Sequence, residues 1–104
     1  MNIGCVVYEK YFNTGELTAE WTFDSGTGIV EGTGHATGKP GNNYDGDYKI
    51  TYFDTNGNSA GEYDLNITIE KNSYILKWHQ NGTMKFTGIA LQVDSKLMGG
   101  WKPV

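Results

Sequence analysis

The sequence predicts an all-β protein folded as an eight-stranded antiparallel up-and-down meander barrel. Several stretches alternate apolar and polar residues with a period of two, which is typical of strands with one buried face. Dipeptides such as Asn56-Gly57 and Asn81-Gly82 separate these stretches and suit tight hairpin turns. Glycine makes up 15 of the 104 residues, about twice its usual ~7% share. A chain of this length is expected to form one domain, 1–104, around one modest core.

The alternation places the strands in order along the chain. It is clearest around Trp21, Tyr48, Leu65 and Leu76, whose neighbours two positions away are also mostly apolar or aromatic. The predicted strands are 3–11, 16–24, 27–36, 44–54, 61–70, 73–80, 83–93 and 96–101. The short connections between them exclude parallel crossovers and favour a meander, which removes both sheet edges when it closes into a barrel. A β-sandwich is the alternative.

Charge and composition exclude several partners. The chain has twelve acidic residues against eight Lys or Arg, and no arginine occurs among the latter. Without a basic stripe or arginine forks, we expect neither nucleic-acid binding nor attachment to an anionic membrane. No apolar run of about 18 residues is present to span a bilayer. Cys5 has no second cysteine to pair with and is interpreted as a buried small apolar residue.

No secretion signal is evident, so a cytoplasmic location is expected, or a secreted one if a signal peptide has been removed.

The Gly26-Thr27-Gly28 and Gly32-Thr33-Gly34 sequences lack the Lys-Ser/Thr and the helix of a phosphate-binding loop. Asp45 and Asp47 resemble the start of a calcium loop, but the glycine is misplaced and the distal glutamate is missing. We therefore expect neither a cofactor nor a metal.

The third predicted strand has two possible orientations. Glu31 and His35 share one face of it, and Gly32 and Gly34 share the other. If Glu31 and His35 face inward, they form a weak candidate acid–base pair inside the barrel. If the glycines face inward, that pair is in solvent. We expect the glycine face to point inward and to leave free volume opposite the large aromatic side chains.

Aromatic residues on the apolar faces form the candidate ligand-binding site. Buried phenols need hydrogen-bond partners, so a dry core seldom contains many of them. Two arrangements satisfy them: the hydroxyls reach water at the barrel ends, or they line a cavity. The second predicts a concave, mostly apolar site. The predicted ligand-binding residues are Trp21, Tyr48, Tyr52, Tyr63, Tyr74 and Trp78.

The pattern resembles the calycin-type barrels, which comprise the lipocalins, the fatty-acid-binding proteins and the avidins. Trp21, closing the segment Leu17-Thr18-Ala19-Glu20-Trp21, is similar to the tryptophan that these families carry near the start of the barrel. Segments 74–78, 88–90 and 99–101 resemble small bacterial barrels of this type. The resemblance implies a barrel that holds a ligand inside. Ala19 stands where the families have glycine, the lipocalin arginine has no equivalent, and no family binding residue is carried over.

Three functions are consistent with this pattern. The first is a non-catalytic protein that binds a small apolar or aromatic ligand, which a cavity of about 300 Å³ or more would favour. The second is a cyclase or isomerase that uses Glu31 and His35. The third is a protein-interaction module whose barrel is filled.

The predicted seventh strand also indicates an oligomer. Beyond Gly88, the large apolar side chains change phase. A bulge at Gly88 would return them to the core, whereas without one they stand on the outer face. Together with the first and eighth strands they would form an exposed apolar patch, which monomers seldom leave bare. We expect a homodimer through these strands, centred on Ile89, Leu91, Val93 and Met98.

Overall fold

The computed structural model describes residues 2–104 and confirms the predicted closed, antiparallel up-and-down barrel. Its strands are β1 Ile3–Tyr11, β2 Glu16–Asp24, β3 Ile29–Thr37, β4 Gly46–Asp54, β5 Ser59–Glu70, β6 Ser73–Gln80, β7 Thr83–Val93 and β8 Lys96–Pro103. Each strand pairs with the next, and β8 pairs with β1, so the sandwich alternative does not apply. Within the described residues, no helix is long and apolar enough to cross a membrane.

Tight turns fix the register of the hairpins. Asn81 and Gly82, between β6 and β7, both have positive φ, at 52° and 79°. This is the backbone that a two-residue type I′ hairpin requires, and asparagine followed by glycine adopts it at low cost. The turn residues recognised in the sequence therefore set the pairing of the neighbouring strands.

The core lies inside the barrel and is built from every second residue of the strands. Its most deeply buried side chains include those of Val6, Tyr8, Leu17, Ile50, Leu65, Ile67, Leu76 and Leu97. Because alternate residues point to opposite faces of a strand, the polar residues between them face solvent. The two ends of the barrel are named by β1. The end where β1 begins is called the open end, and the end where β1 finishes is called the closed end.

A loop plugs the closed end. Tyr44, in the segment between β3 and β4, is completely buried. Its hydroxyl accepts a hydrogen bond from the Lys10 backbone N–H at 3.1 Å and donates one to the Ser95 carbonyl oxygen at 2.7 Å. The Tyr48 hydroxyl donates to the Tyr44 carbonyl oxygen at 2.8 Å. This end of the barrel is filled by side chains with satisfied hydroxyl groups.

The glycines of β3 face inward, as expected, but they do not leave empty space. A Cβ at Gly32 would overlap the Phe53 carbonyl oxygen and lie 2.9 Å from the Trp21 ring. At Gly34 it would lie 2.9 Å from the Tyr52 ring. The expectation of free volume against this strand is therefore wrong, because two aromatic rings occupy the space that the missing side chains release.

The outer face of β7 carries large apolar residues. Gly88 pairs in continuous register with Leu76, and the register shift of this hairpin lies between Trp78 and His79 instead. No bulge therefore returns the side chains beyond Gly88 to the core. Ile89, Leu91 and Val93 are exposed to 57%, 56% and 45%, and Met98 on β8 to 42%.

Candidate ligand-binding pocket

A pocket of about 110 Å³ lies at the open end of the barrel. Six aromatic side chains and two small aliphatic ones line it: Val6, Trp21, Tyr52, Ala60, Tyr63, Trp78, Phe86 and Trp101. The described residues that line it include no charged side chain. The pocket is therefore an apolar recess whose polar groups are phenols and indoles.

The topology brings these residues together. In an antiparallel meander, the final residues of even-numbered strands and the first residues of odd-numbered strands meet at one end. Trp78 near the end of β6 pairs with Phe86 near the start of β7. Trp101 near the end of β8 pairs with Gly4 near the start of β1, and a Cβ at Gly4 would overlap the Trp101 ring. Glycine at position 4 thus allows this indole to fold against the barrel wall.

The aromatic rings brace one another at the pocket wall. Trp21 and Tyr52 meet edge to face, with ring centroids 6.3 Å apart. Phe86 makes similar edge contacts with Trp101 at 5.2 Å and with Tyr63 at 5.6 Å. Contacts of this geometry stabilise ring pairs beyond their burial. The wall is therefore held in place by its own side chains.

Trp21 is also fixed by a polar contact. Its indole Nε1–H donates to the Thr33 carbonyl oxygen at 2.9 Å. The same residue pairs across the sheet with Gly32, whose missing side chain gives the indole room. The ring orientation is thus determined by β3 as well as by its own strand.

A short hydrogen-bonded chain joins the pocket to the core. The Trp78 Nε1–H donates to the Tyr52 hydroxyl oxygen at 2.7 Å. The hydroxyl oxygens of Tyr52 and Tyr8 lie 2.6 Å apart, and either hydroxyl could be the donor. Tyr8 is fully buried, whereas Tyr52 is partly buried and borders the pocket.

These phenols stay protonated. Burial, together with the neighbouring Tyr52, raises the pKa of Tyr8 well above its usual value. Burial also raises the pKa of Tyr52, although its hydrogen bonds with Tyr8 and Trp78 oppose the increase. Burial alone raises the pKa of Tyr63. At neutral pH the pocket therefore offers neutral hydroxyl groups and no phenolate.

The structure brings four of the six predicted ligand-binding residues together. Trp21, Tyr52, Tyr63 and Trp78 line the pocket. Tyr48 and Tyr74 do not: Tyr48 is buried at the closed end, and Tyr74 lies there too, with its hydroxyl 3.3 Å from the Gln92 Oε1. Both side chains are on the inner face, as their alternation indicates, but at the other end of the barrel.

Four lining residues were outside the predicted set. Val6, Ala60, Phe86 and Trp101 complete the pocket. The alternation of apolar and polar residues could have identified Phe86 and Trp101. Both are on the inward-facing side of their strands and lie close to the open end. Ala60 carries no such signal, because it lies at a register shift between β4 and β5.

Glu31 and His35 lie on the outer surface of β3, where both are exposed. The His35 Nε2 is 4.0 Å from the Glu16 Oε1. This contact is exposed, and its acidic partner is Glu16 instead of Glu31. The two side chains therefore do not meet inside the barrel. Among residues 2–104, no group of three or more His, Cys, Asp or Glu side chains has the arrangement of a metal site.

Comparison of the chain with protein-family models finds no match, and comparisons with curated proteins and with solved structures find no significant match either.

Proposed function

We propose that this protein binds a small apolar or aromatic molecule, without catalysing a reaction on it, in the pocket at the open end. The observation that carries the proposal is the aromatic recess itself, accessible at one end of a barrel whose other end is plugged by Tyr44. Concave, mostly apolar sites with a few polar groups are the usual form of small-molecule sites. A core built only for stability has no need of such a recess.

The volume indicates the size of the ligand. The pocket holds about 110 Å³, less than the ~300 Å³ typical of drug-sized sites but close to the ~150 Å³ cavity that admits benzene. We infer that the ligand is a single-ring molecule, or that one ring of a larger molecule enters while the rest stays outside.

The chemistry of the lining favours binding over turnover. The described lining side chains are aromatic or aliphatic, and their phenols are held neutral by burial. Acid–base catalysis needs a group whose pKa lies near the working pH. The enzyme alternative depends on Glu31 and His35, whose exposed positions on the outer face do not favour it.

The architecture is compatible with a calycin-like binding barrel, and we infer that the chain works as one. Eight antiparallel strands in up-and-down order form the closed wall, as in the families that the sequence resembles. The pocket here is confined to one end, since Tyr8, Leu17, Leu76 and other buried side chains fill the rest of the barrel interior.

Nuclear magnetic resonance tests the proposal directly. All three tryptophans of the chain line the pocket, so their three indole N–H signals report on its contents. We expect saturable shifts of these signals when a ring-sized compound such as toluene is titrated into the protein.

Ala60→Phe, which places a ring in the pocket wall, should abolish those shifts. Asn58→Phe, an exposed change in the turn just before β5 and outside the pocket, should leave them intact. Equal shifts in the protein and in the Ala60→Phe variant, or no saturable shift with any ring-sized compound, would refute the proposed site.

A further inference from the structure

The chain of Tyr8, Tyr52 and Trp78 has three protons for two hydrogen bonds. Each phenol carries one hydroxyl proton and the indole carries one N–H. The Trp78 Nε1–H donates to the Tyr52 hydroxyl oxygen at 2.7 Å. One phenolic proton forms the 2.6 Å hydrogen bond between Tyr8 and Tyr52. Among the described residues, neither hydroxyl has a hydrogen-bond acceptor other than the oxygen of the other phenol. One phenolic proton is therefore left over.

Burial decides which hydroxyl keeps that proton. If Tyr52 donates to Tyr8, the spare proton belongs to Tyr8, which has no exposed surface. Leaving a buried donor without a partner is unfavourable. If Tyr8 donates to Tyr52, both buried donors are satisfied and the spare proton belongs to Tyr52, which borders the pocket. The second arrangement is the more stable one.

We propose that Tyr52 donates a hydrogen bond to the bound molecule, so that the pocket selects a neutral, ring-sized ligand carrying an acceptor oxygen. This inference rests on the proposed function and specifies the ligand class: an aromatic or apolar ring with a carbonyl or similar oxygen on the edge that faces Tyr52.

The electrostatics of the pocket support an acceptor over a cation. Aromatic cages can bind quaternary ammonium groups through their ring faces. Here, however, a Tyr52 hydroxyl with a free proton would direct the positive end of its dipole at the occupant. In the proposed arrangement the Tyr52 oxygen accepts two hydrogen bonds, from Trp78 and Tyr8, so its own O–H is polarised and becomes a stronger donor. Burial keeps this hydroxyl protonated by raising its pKa.

Two probes of nearly equal shape test the proposal. Acetophenone carries a carbonyl oxygen where α-methylstyrene carries a methylene group. We expect Tyr52→Phe to weaken acetophenone binding about two- to tenfold, the usual effect of one hydrogen bond. Binding of α-methylstyrene should change less than twofold. Both dissociation constants come from the indole N–H shifts.

Tyr8→Phe separates the two proton arrangements. In the proposed arrangement Tyr52 keeps its free proton in this variant, so acetophenone should bind about as well as before. If Tyr52 instead donates to Tyr8, the substitution frees that proton and acetophenone binding tightens. Tightening would therefore overturn the proposal.

The infrared carbonyl stretch of bound acetophenone supplies a readout that does not depend on affinity. We expect a shift to lower frequency in the protein and in Tyr8→Phe, and no such shift in Tyr52→Phe. If Tyr52→Phe does not fold, the first two samples still decide the question.

The outcomes separate this inference from the proposed function. If both probes bind but the carbonyl frequency matches that in an apolar solvent, the Tyr52 inference is wrong and the binding site stands. Tighter binding of tetramethylammonium than of acetophenone would likewise overturn the inference. If no ring-sized probe binds, both proposals are refuted.

Discussion

The Tyr44 hydroxyl donates a hydrogen bond of 2.7 Å to the carbonyl oxygen of Ser95, 51 positions further along the chain. This bond ties the loop before β4 to the turn before β8. The same oxygen accepts from the Lys10 backbone N–H. One side chain therefore joins three separate parts of the chain at the closed end.

We expect Tyr44→Phe to lower the free energy of unfolding by about 1–3 kcal/mol, because the substitution leaves the Lys10 N–H and the Ser95 carbonyl without this partner. Tyr44→Ala also creates a cavity and should cost about 3–5 kcal/mol. Urea unfolding measures both. Tyr11→Phe, at a half-exposed tyrosine, serves as the control and should change stability by less than ~0.5 kcal/mol. An equal loss in Tyr11→Phe would contradict the assignment.

Gly32→Ala should destabilise the barrel strongly. The new Cβ would overlap the Phe53 backbone oxygen and press on the Trp21 ring, and overpacking of this kind costs about 1–3 kcal/mol or more. Gly28→Ala is the matched control, because a Cβ there meets no atom within 4 Å. Thermal unfolding compares the two variants, and similar melting temperatures would show that the close contact at Gly32 is absent.

Stability should fall at alkaline pH. Burial raises the pKa of Tyr48 to about 12 and raises those of Tyr8, Tyr44 and Tyr52. A folded protein that holds its phenols neutral binds more protons than the unfolded chain, whose tyrosines ionise near pH ~10. The stabilisation is complete below that pH and is lost as the pH rises through about 12. Burial lowers the pKa of Lys10, so this one group makes stability rise with pH and partly offsets the effect of the tyrosines.

The measurement is absorbance of phenolate at 295 nm, followed together with circular dichroism. We expect the buried tyrosines to ionise in the same step in which the barrel unfolds. Smooth ionisation of all seven tyrosines with no loss of structure would contradict this prediction.

The outer face of β7, β8 and β1 is expected to bind a second copy of this chain. Leu91 pairs across the sheet with Met98, which also pairs with Val7. Three adjacent strands make this apolar face about 14 Å wide. Lys77 lies on β6, at one border of this face, and the acidic residues Glu20 and Asp24 lie on β2, at the other border. A two-fold axis parallel to the strands would place each charged border against the opposite one.

Light scattering should therefore give twice the 11.5 kDa chain mass at micromolar concentration. Leu91→Lys should reduce it to one chain, whereas Ile69→Lys, at an equally accessible site on β5, should not. The expected burial of Cys5 is wrong, because its side chain is on the outer face of β1 and is exposed. Cys5 therefore lies on the same face, and a bifunctional maleimide should link two copies. A mass of one chain at all concentrations would refute the dimer.

The sequence was sufficient to predict the fold, because the alternation of apolar and polar residues and the tight turns depend only on residues close together in the chain. Alternation around Tyr48 and Tyr52 shows that both face inward. It does not show the height of a side chain along the barrel axis. Tyr52 consequently borders the pocket, while Tyr48, four residues away, lies at the closed end.

The closure of one end was also beyond sequence reasoning. The predicted fourth strand, 44–54, includes Tyr44, whereas in the structure this residue precedes β4 and its hydroxyl bonds to backbone groups of β1 and of the turn before β8. Those partners are 34 and 51 positions away. No local pattern indicates a contact over such separations.

The pairing of β1 with β8 has a consequence for synthesis of the chain. Every other pair of neighbouring strands is adjacent in sequence, so each hairpin can form as soon as its second strand is available. The Val7–Met98 pairing, in contrast, must wait until the last strand has left the ribosome. Until then, β1 and the most recent strand are free edges, and free edges are where chains associate wrongly. Any pause in synthesis before β8 emerges should therefore favour aggregation, because two strand edges stay unpaired until β8 closes the barrel.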